Sequence, residues 1–359
     1  MFNRLPSLYS HDAMQYEERR TKNEERRAAF ALCLGRSVCN SHHMLKAMKK
    51  RFPVSVIAGA CLASAAFANA GILKSGQRVV FLGDSNTYAA HYVDFIEASL
   101  LTQARDLKVE ILNLGLPSET TSGLSEPDHP FPRPTVHERL ERVLKIMEPD
   151  VVIACYGMND GMYYPQSPER FAKYKKGITD LIGKVNKTGA KLYLVTPPPF
   201  DPLPQRKKGK LLPKGSPKYA WFSIYEDYDS VLADYSKWLM SLKDDRVERI
   251  FDVRTPMLAY IAKRRKNDPD YVMSGDGVHF NQEGHRIIAA ALLKDWGYDP
   301  SVKVDLKLQK FVAERQHLLR DAWVTHCGHK RPKTRKGLPL KEAQAKAAGI
   351  WEKIEEALK

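Results

Sequence analysis

The sequence predicts an α/β fold, a parallel sheet covered by helices on both faces, followed by a helical extension. Three observations carry this. Five short runs rich in Val, Ile and Leu recur between residues 78 and 253. Segments with apolar residues at helical spacing lie between them. Each run is bounded by Gly, Pro or an acid, the punctuation expected where a strand gives way to a loop. Strand and helix in strict alternation argue for parallel strands joined by helical crossovers.

The elements follow in order. RVVFLG (78–83) is the first strand and 89–104 the first helix; VEILNLG (109–115) is the second strand, with a helix at 137–147. DVVIACYG (150–157) precedes a helix at 168–187, and AKLYLVTPP (190–198) is the fourth strand. Residues 196–222 are rich in Pro and Lys and too long for an ordinary connection, so they read as an insertion. The aromatic-rich stretch 218–239 supplies core to a helix within 224–244, with Trp221 or Tyr225 as candidates to line a cleft. VERIFDV (247–253) is followed by helices at 254–266 and 282–296. Beyond residue 300, two helical stretches, 306–324 and 340–358, flank a basic Gly/Pro segment; they predict either a packed extension or a partner-binding arm.

The net charge of +15 first suggests nucleic acid or an anionic surface. Its distribution argues otherwise: residues 1–70 carry 11 basic and 5 acidic groups, 301–359 carry 14 and 7, and 71–300 are close to neutral. No finger, helix-turn-helix or RNA-binding signature supports a nucleic-acid partner. The basic tail leaves room for weak association with an anionic polymer or membrane surface. Residues 44–70 read as a secretory signal peptide: Lys46, Lys49, Lys50 and Arg51, then an Ala/Val/Ile-rich stretch, then Ala68-Asn69-Ala70 before Gly71. A membrane anchor is disfavoured by the short, Ala-rich run and Pro53, and a lipoprotein at Cys61 by the small residues before it. The expected product is exported, periplasmic or extracellular. Residues 1–43 lack core-forming periodicity and read as a disordered extension or a misassigned start. The expected domains are then 71–300, with the insertion, and the tail 301–359. Cleavage would leave Cys155, read as a buried thiol, and Cys327.

FLGDSNTY (81–88) ends the first strand abruptly and places Ser85 beyond its carboxyl end. Sites of open parallel sheets lie on that rim, and Gly115 and Asn159 follow the second and third strands onto it. A Ser hydroxyl needs a base to take its proton. SGDGVHFNQEGH (274–285) supplies one, with Asp276 three residues before His279 in a Gly-rich loop. Neutral imidazole is the base and the carboxylate fixes its tautomer. An ester carbonyl under attack also needs oxyanion donors: the N–H of Ser85, the N–H of Gly115 and the amide of Asn159 are candidates. Turn residues alone would explain each piece separately, with Asp160 able to carry the turn beside Asn159.

In order, GDSN (83–86), NLG (113–115), GMND (157–160) and DGVH (276–279) resemble the four blocks of the SGNH hydrolases, the GDSL-type esterases and lipases. The resemblance covers about 77–297. It implies a flavodoxin-like three-layer sandwich, Ser85 as nucleophile, Asp276 and His279 as its partners, and Ser85, Gly115 and Asn159 as the oxyanion hole. It implies no cofactor and no metal. Asn86 stands where Leu is common, at a position expected to do no chemistry. No G-x-S-x-G elbow points to the α/β-hydrolase alternative. His285 is expected to pack at a helix start, HCGH (326–329) lacks a fourth metal ligand, and RKKGK (206–210) reads as a solvated loop. The expected activity is cleavage of a short-acyl ester, such as an O-acetylated carbohydrate. The alternatives are a lysophospholipase or lipase and a non-catalytic cell-surface binding module.

Overall fold

A computed structural model describes residues 72–359; the assigned leader 44–70 and the stretch 1–43 lie outside the described residues. The strands in chain order are β1 (Arg78–Gly83), β2 (Glu110–Asn113), β3 (Val151–Cys155), β4 (Lys191–Val195), β5 (Leu211–Leu212), β6 (Ile224–Tyr225) and β7 (Val247–Phe251). Five of them form one sheet in the order β2-β1-β3-β4-β7, and every neighbouring pair is parallel. The order turns back between β1 and β3, the place where open sheets of this kind open a crevice. β5 and β6 form a separate parallel pair.

Strand side chains alternate between two buried cores because the strand repeat is two residues. Val80, Leu82, Val152, Ala154, Leu192 and Leu194 face one core. Val79, Phe81, Val151, Ile153, Tyr193 and Val195 face the other. This is why the runs read as apolar throughout. Helices α3 (Val136–Met147), α4 (Pro168–Asn186) and α6 (Tyr228–Met240) cover the first face. Helices α2 (His91–Gln103), α7 (Arg254–Arg265) and α8 (Gln282–Asp295) cover the second. Their starts follow the usual chemistry: Thr135, Ser167 and Asn281 each accept a hydrogen bond from the first turn of α3, α4 and α8.

Short elements escaped the pattern. A single helical turn, α1 (Ser85–Tyr88), follows β1, and α5 (Leu203–Lys207) lies in the stretch 196–222. Neither is long enough to show a period. The tail forms α9 (Leu306–Cys327) and α10 (Leu340–Ala357). Of its two expected forms it takes the packed one: Leu308 and Val312 of α9 meet Ile350 and Ile354 of α10 over Ala98 of α2. Leu319 and Trp323 enter the core over the first face. Gln316 donates 2.8 Å to the carbonyl of Ile111, so α9 occupies part of the open edge of β2. Cys155 and Cys327 are both buried free thiols. No helix among the described residues is long and apolar enough to cross a membrane.

Candidate active site

β1 ends at Gly83, and the chain turns at once into α1. Asp84 caps that turn, its Oδ1 accepting from the N–H of Asn86 at 3.0 Å. Ser85 is therefore the first helical residue, and its own N–H has no acceptor among the described residues. Helix starts leave such N–H groups free. Gly83 is required here, since a Cβ would strike the Thr87 side chain and the Cys155 carbonyl.

Ser85 Oγ lies 2.8 Å from His279 Nε2, and His279 Nδ1 lies 2.7 Å from Asp276 Oδ2. The loop that carries the acid and the imidazole is held from several sides. Asp276 Oδ1 accepts from the N–H of His279 at 2.8 Å, the N–H of Val278 at 2.9 Å and Ser274 Oγ at 2.9 Å. Gly277 adopts φ +81° and packs against Phe200 and the Asp201 carbonyl, leaving no room for a side chain. The insertion braces the same loop: Asp201 N–H donates to Gly277, Gln205 Nε2 to the Asp276 carbonyl and Lys208 Nζ to the Gly275 carbonyl. Lys208 Nζ thus touches the site's scaffold, while residues 206–210 are exposed throughout, as a solvated stretch.

The charges favour a base at His279. Partial burial pushes the Asp276 carboxyl up, but the hydrogen bond and charge of His279 and two N–H donors outweigh it, and Asp276 sits well below the usual carboxylate range. Burial pushes His279 down, yet Asp276, and more weakly Asp84, leave it above the ordinary histidine value. An ionised Asp276 accepts only, so Nδ1 carries the proton and Nε2 faces Ser85 as acceptor. Asp84 itself is buried, which pushes its carboxyl up to about 6 against the Asn86 N–H and the charge of His279.

Gly115 packs against α1, where a Cβ would run into the Thr87 and Tyr88 backbone. Asn113 Nδ2 donates to the Thr87 carbonyl at 2.6 Å, and Leu116 N–H to the Gly83 carbonyl at 2.8 Å. The Gly115 N–H is committed to Asn113 Oδ1 at 2.9 Å. As an oxyanion donor it would have to share that proton in a three-centre bond, so the expected role meets a competing acceptor. Asn159 is buried, and its amide is set by its neighbours. Arg133, which only donates, reaches Oδ1 at 3.0 Å, and the Tyr163 hydroxyl donates to the same oxygen at 3.0 Å. Nδ2 is thereby fixed on the opposite side, where one of its hydrogens goes to the Glu119 carbonyl at 3.2 Å. The Asp160 side chain does not carry the turn beside Asn159, which its own N–H closes to the Gly157 carbonyl; its Oδ1 accepts from Thr121 and Ser122 N–H and the Thr121 hydroxyl and so ties that turn to the loop after β2.

Several residues that shape the site were invisible in the sequence. Arg133 stands between two prolines in a loop and is held by Glu126. Arg139 and Glu119 form a buried ion pair beneath the loop after β2, with Tyr156 donating to the carboxylate. Asn86, at a position expected to do no chemistry, makes structural bonds instead: Nδ2 donates to the Val278 carbonyl at 3.0 Å and Oδ1 accepts from the Phe280 N–H at 3.3 Å. It binds the peptide groups on both sides of His279. His285 packs against Tyr92 at a ring separation of 6.1 Å, as a helix-start histidine. Trp221 is half exposed on the insertion.

Residues 81–287 match the profile of the GDSL-like lipase/acylhydrolase family. No curated protein matches the chain. Among solved structures, a gut microbial diltiazem-metabolizing enzyme is similar at 20% identity over 63% of this chain and 48% of its own, with a TM-score of 0.46. The chain thus spans about half the length of that neighbour. The acetylxylan esterase Axe2 from Geobacillus stearothermophilus, determined as a catalytic mutant, is similar at 18% identity over 64% of this chain and 99% of its own, with a TM-score of 0.43. An acetyl xylan esterase, AlAXEase, is similar at 22% identity over 61% and 98%, with a TM-score of 0.45.

Proposed function

The chain belongs to the GDSL-like lipase/acylhydrolase family, the SGNH-type hydrolases that cleave esters, and from that premise we propose the roles of its residues and its substrate. Ser85 Oγ attacks the acyl carbonyl while His279 Nε2 takes its proton. Asp276 holds the imidazolium that results. The carbonyl oxygen becomes an oxyanion, received by the Ser85 N–H and Asn159 Nδ2, with Gly115 as a third, shared donor. His279 then protonates the departing alkoxide and the acyl group stays on Ser85. Water enters, loses a proton to His279 Nε2 and attacks the acyl-enzyme; the acid leaves as Ser85 regains its proton. The observation that carries this is the unbroken hydrogen-bond path Ser85–His279–Asp276.

The substrate is a short-acyl ester, an O-acetylated carbohydrate in the first instance. The polar, basic insertion supports this, since residues 201–208 brace the acid–base loop with charged and amide groups instead of an apolar lid. The exposed aromatic pair Trp221 and Phe222 on the same insertion offers flat faces of the kind that receive sugar rings. The protein is exported through cleavage before Gly71; a mature N-terminus elsewhere, read by sequencing the exported chain, would overturn that. The decisive experiment is hydrolysis of p-nitrophenyl esters from acetate to long chains by the parent and Ser85→Ala. Activity greatest on acetate and abolished in the variant is expected. Activity that survives in Ser85→Ala would overturn the mechanism, and a preference for long chains would replace the carbohydrate ester with a lipid.

A further inference from the structure

Asp94, in the first turn of α2, is a buried carboxylate whose close charged neighbours among the described residues are two histidine rings and no lysine or arginine. Its side chain is only 2% exposed, and neither oxygen has a hydrogen-bond donor among the described residues. A carboxylate left this way costs several kcal/mol unless a cation meets it. Burial accordingly pushes the carboxyl up. The nearest fixed cation, Arg320, is already spent: it is paired with Asp321 and donates to the Tyr88 carbonyl at 2.6 Å. What faces Asp94 instead is a pair of histidines. His91 opens α2 three residues before Asp94, and His317 projects from α9 across the interface.

We propose that His91, Asp94 and His317 form a binding site for one divalent transition-metal ion, for which Zn²⁺ is the probe. The three ligand atoms all lie within 4.8 Å of one another. His317 Nε2 is 3.4 Å and His91 Nδ1 is 4.0 Å from Asp94 Oδ2. Both separations are long for a hydrogen bond. The first is what an ion requires, because ligands about 2.1 Å from a tetrahedral centre stand about 3.4 Å apart. To reach the same centre His91 must close by about half an ångström on Asp94 and by up to about 1.4 Å on His317, and its side chain, 38% exposed, has the freedom to do so. Two imidazoles and one carboxylate suit zinc and its first-row neighbours rather than magnesium or calcium. The histidines are partly exposed on one side, which gives the ion a path in and leaves a coordination position for water. Bound there, the ion would clamp the tail helix α9 to α2, a role separate from ester cleavage.

The test uses the full chain, stripped with a chelator and titrated with Zn²⁺ at neutral pH by calorimetry, beside Asp94→Asn and His317→Gln. The parent is expected to bind one equivalent that each variant loses or holds at least ~10-fold more weakly. Its Tm is expected to rise with added zinc while the variants' Tm does not follow. Titration of Co²⁺ into the parent is expected to give visible absorption bands that are absent in the variants. If Asp94→Asn does not fold, His317→Gln, changed at a partly exposed side chain, decides alone. Equal stoichiometry and affinity in parent and His317→Gln would assign the zinc to other histidines and cysteines and overturn the proposal. Absence of binding by the parent would overturn it equally.

Discussion

Asn86 holds both peptide groups that flank His279, so the proposed base is aimed by a residue on the proposed nucleophile's own turn. Asn86→Leu would leave a buried carbonyl and a buried N–H unmatched, a loss of about 1–3 kcal/mol each. A fall in kcat with KM nearly constant is the expected outcome, checked by steady-state kinetics with a short ester. A stability loss without a kcat effect would reduce Asn86 to a packing residue. Tyr163 acts one step further away, through Asn159. Tyr163→Phe is expected to lower kcat by roughly fivefold, the value of one hydrogen bond near 1 kcal/mol. It should do nothing further in an Asn159→Ala background, and a double-mutant cycle reads that coupling. His279, raised above the ordinary histidine value by Asp276 after burial has pushed it down, must be neutral to act as base. The rate should therefore fall as pH drops through a value above 6.5, the ordinary one; a limb at or below it would contradict the assignment. Asp84, raised to about 6, binds a proton in the folded state that the unfolded chain has lost. Its contribution to stability is thus greatest at low pH and declines as pH rises from about 4 to 6, by roughly 3 kcal/mol. Asp84→Asn, which retains the cap, should remove that decline in urea unfolding measured across the window.

At the scale of elements, the site is an agreement between loops. The turn after β1, the loop after β2 and the loop after β3 are fastened by Asn113 to Thr87, Leu116 to Gly83 and Asn159 to Glu119. Close approach of backbones makes this possible, and Gly115 is where they meet. Gly115→Ala would force the Thr87–Tyr88 backbone to move. Overpacking of this kind costs about 1–3 kcal/mol. It should also misplace Ser85, so thermal unfolding and ester hydrolysis are expected to fall together. The strands that deliver these loops were legible because β1, β3 and β4 are buried on both faces. The one-turn α1 was not, because four residues carry no period and its helix depends on the Asp84 cap and on Gly83.

At the scale of the whole molecule, the tail is part of the core. Trp323 is buried in the cluster with Leu319, Cys327 and Ala347, and Gln316 binds the edge of β2. Trp323→Ala is expected to destabilise the protein by about 3–5 kcal/mol, measured by chemical unfolding. A mutant as stable as the parent would show the tail to be a loosely attached arm.

The sequence by itself determined the strand–helix alternation, the rim on which Ser85, Gly115 and Asn159 stand, and the Asp276–His279 pairing. These are local facts, written in short periods and in a spacing of three residues. Only the tertiary structure decided what each group is bonded to. It committed the Gly115 N–H to Asn113, turned the Asn159 amide with Arg133 and Tyr163, gave Asn86 its two partners, and brought His317 to Asp94 across more than two hundred residues. Hydrogen bonds and buried charges are satisfied by whatever the fold brings within about 3 Å, and no pattern along the chain records which groups those will be.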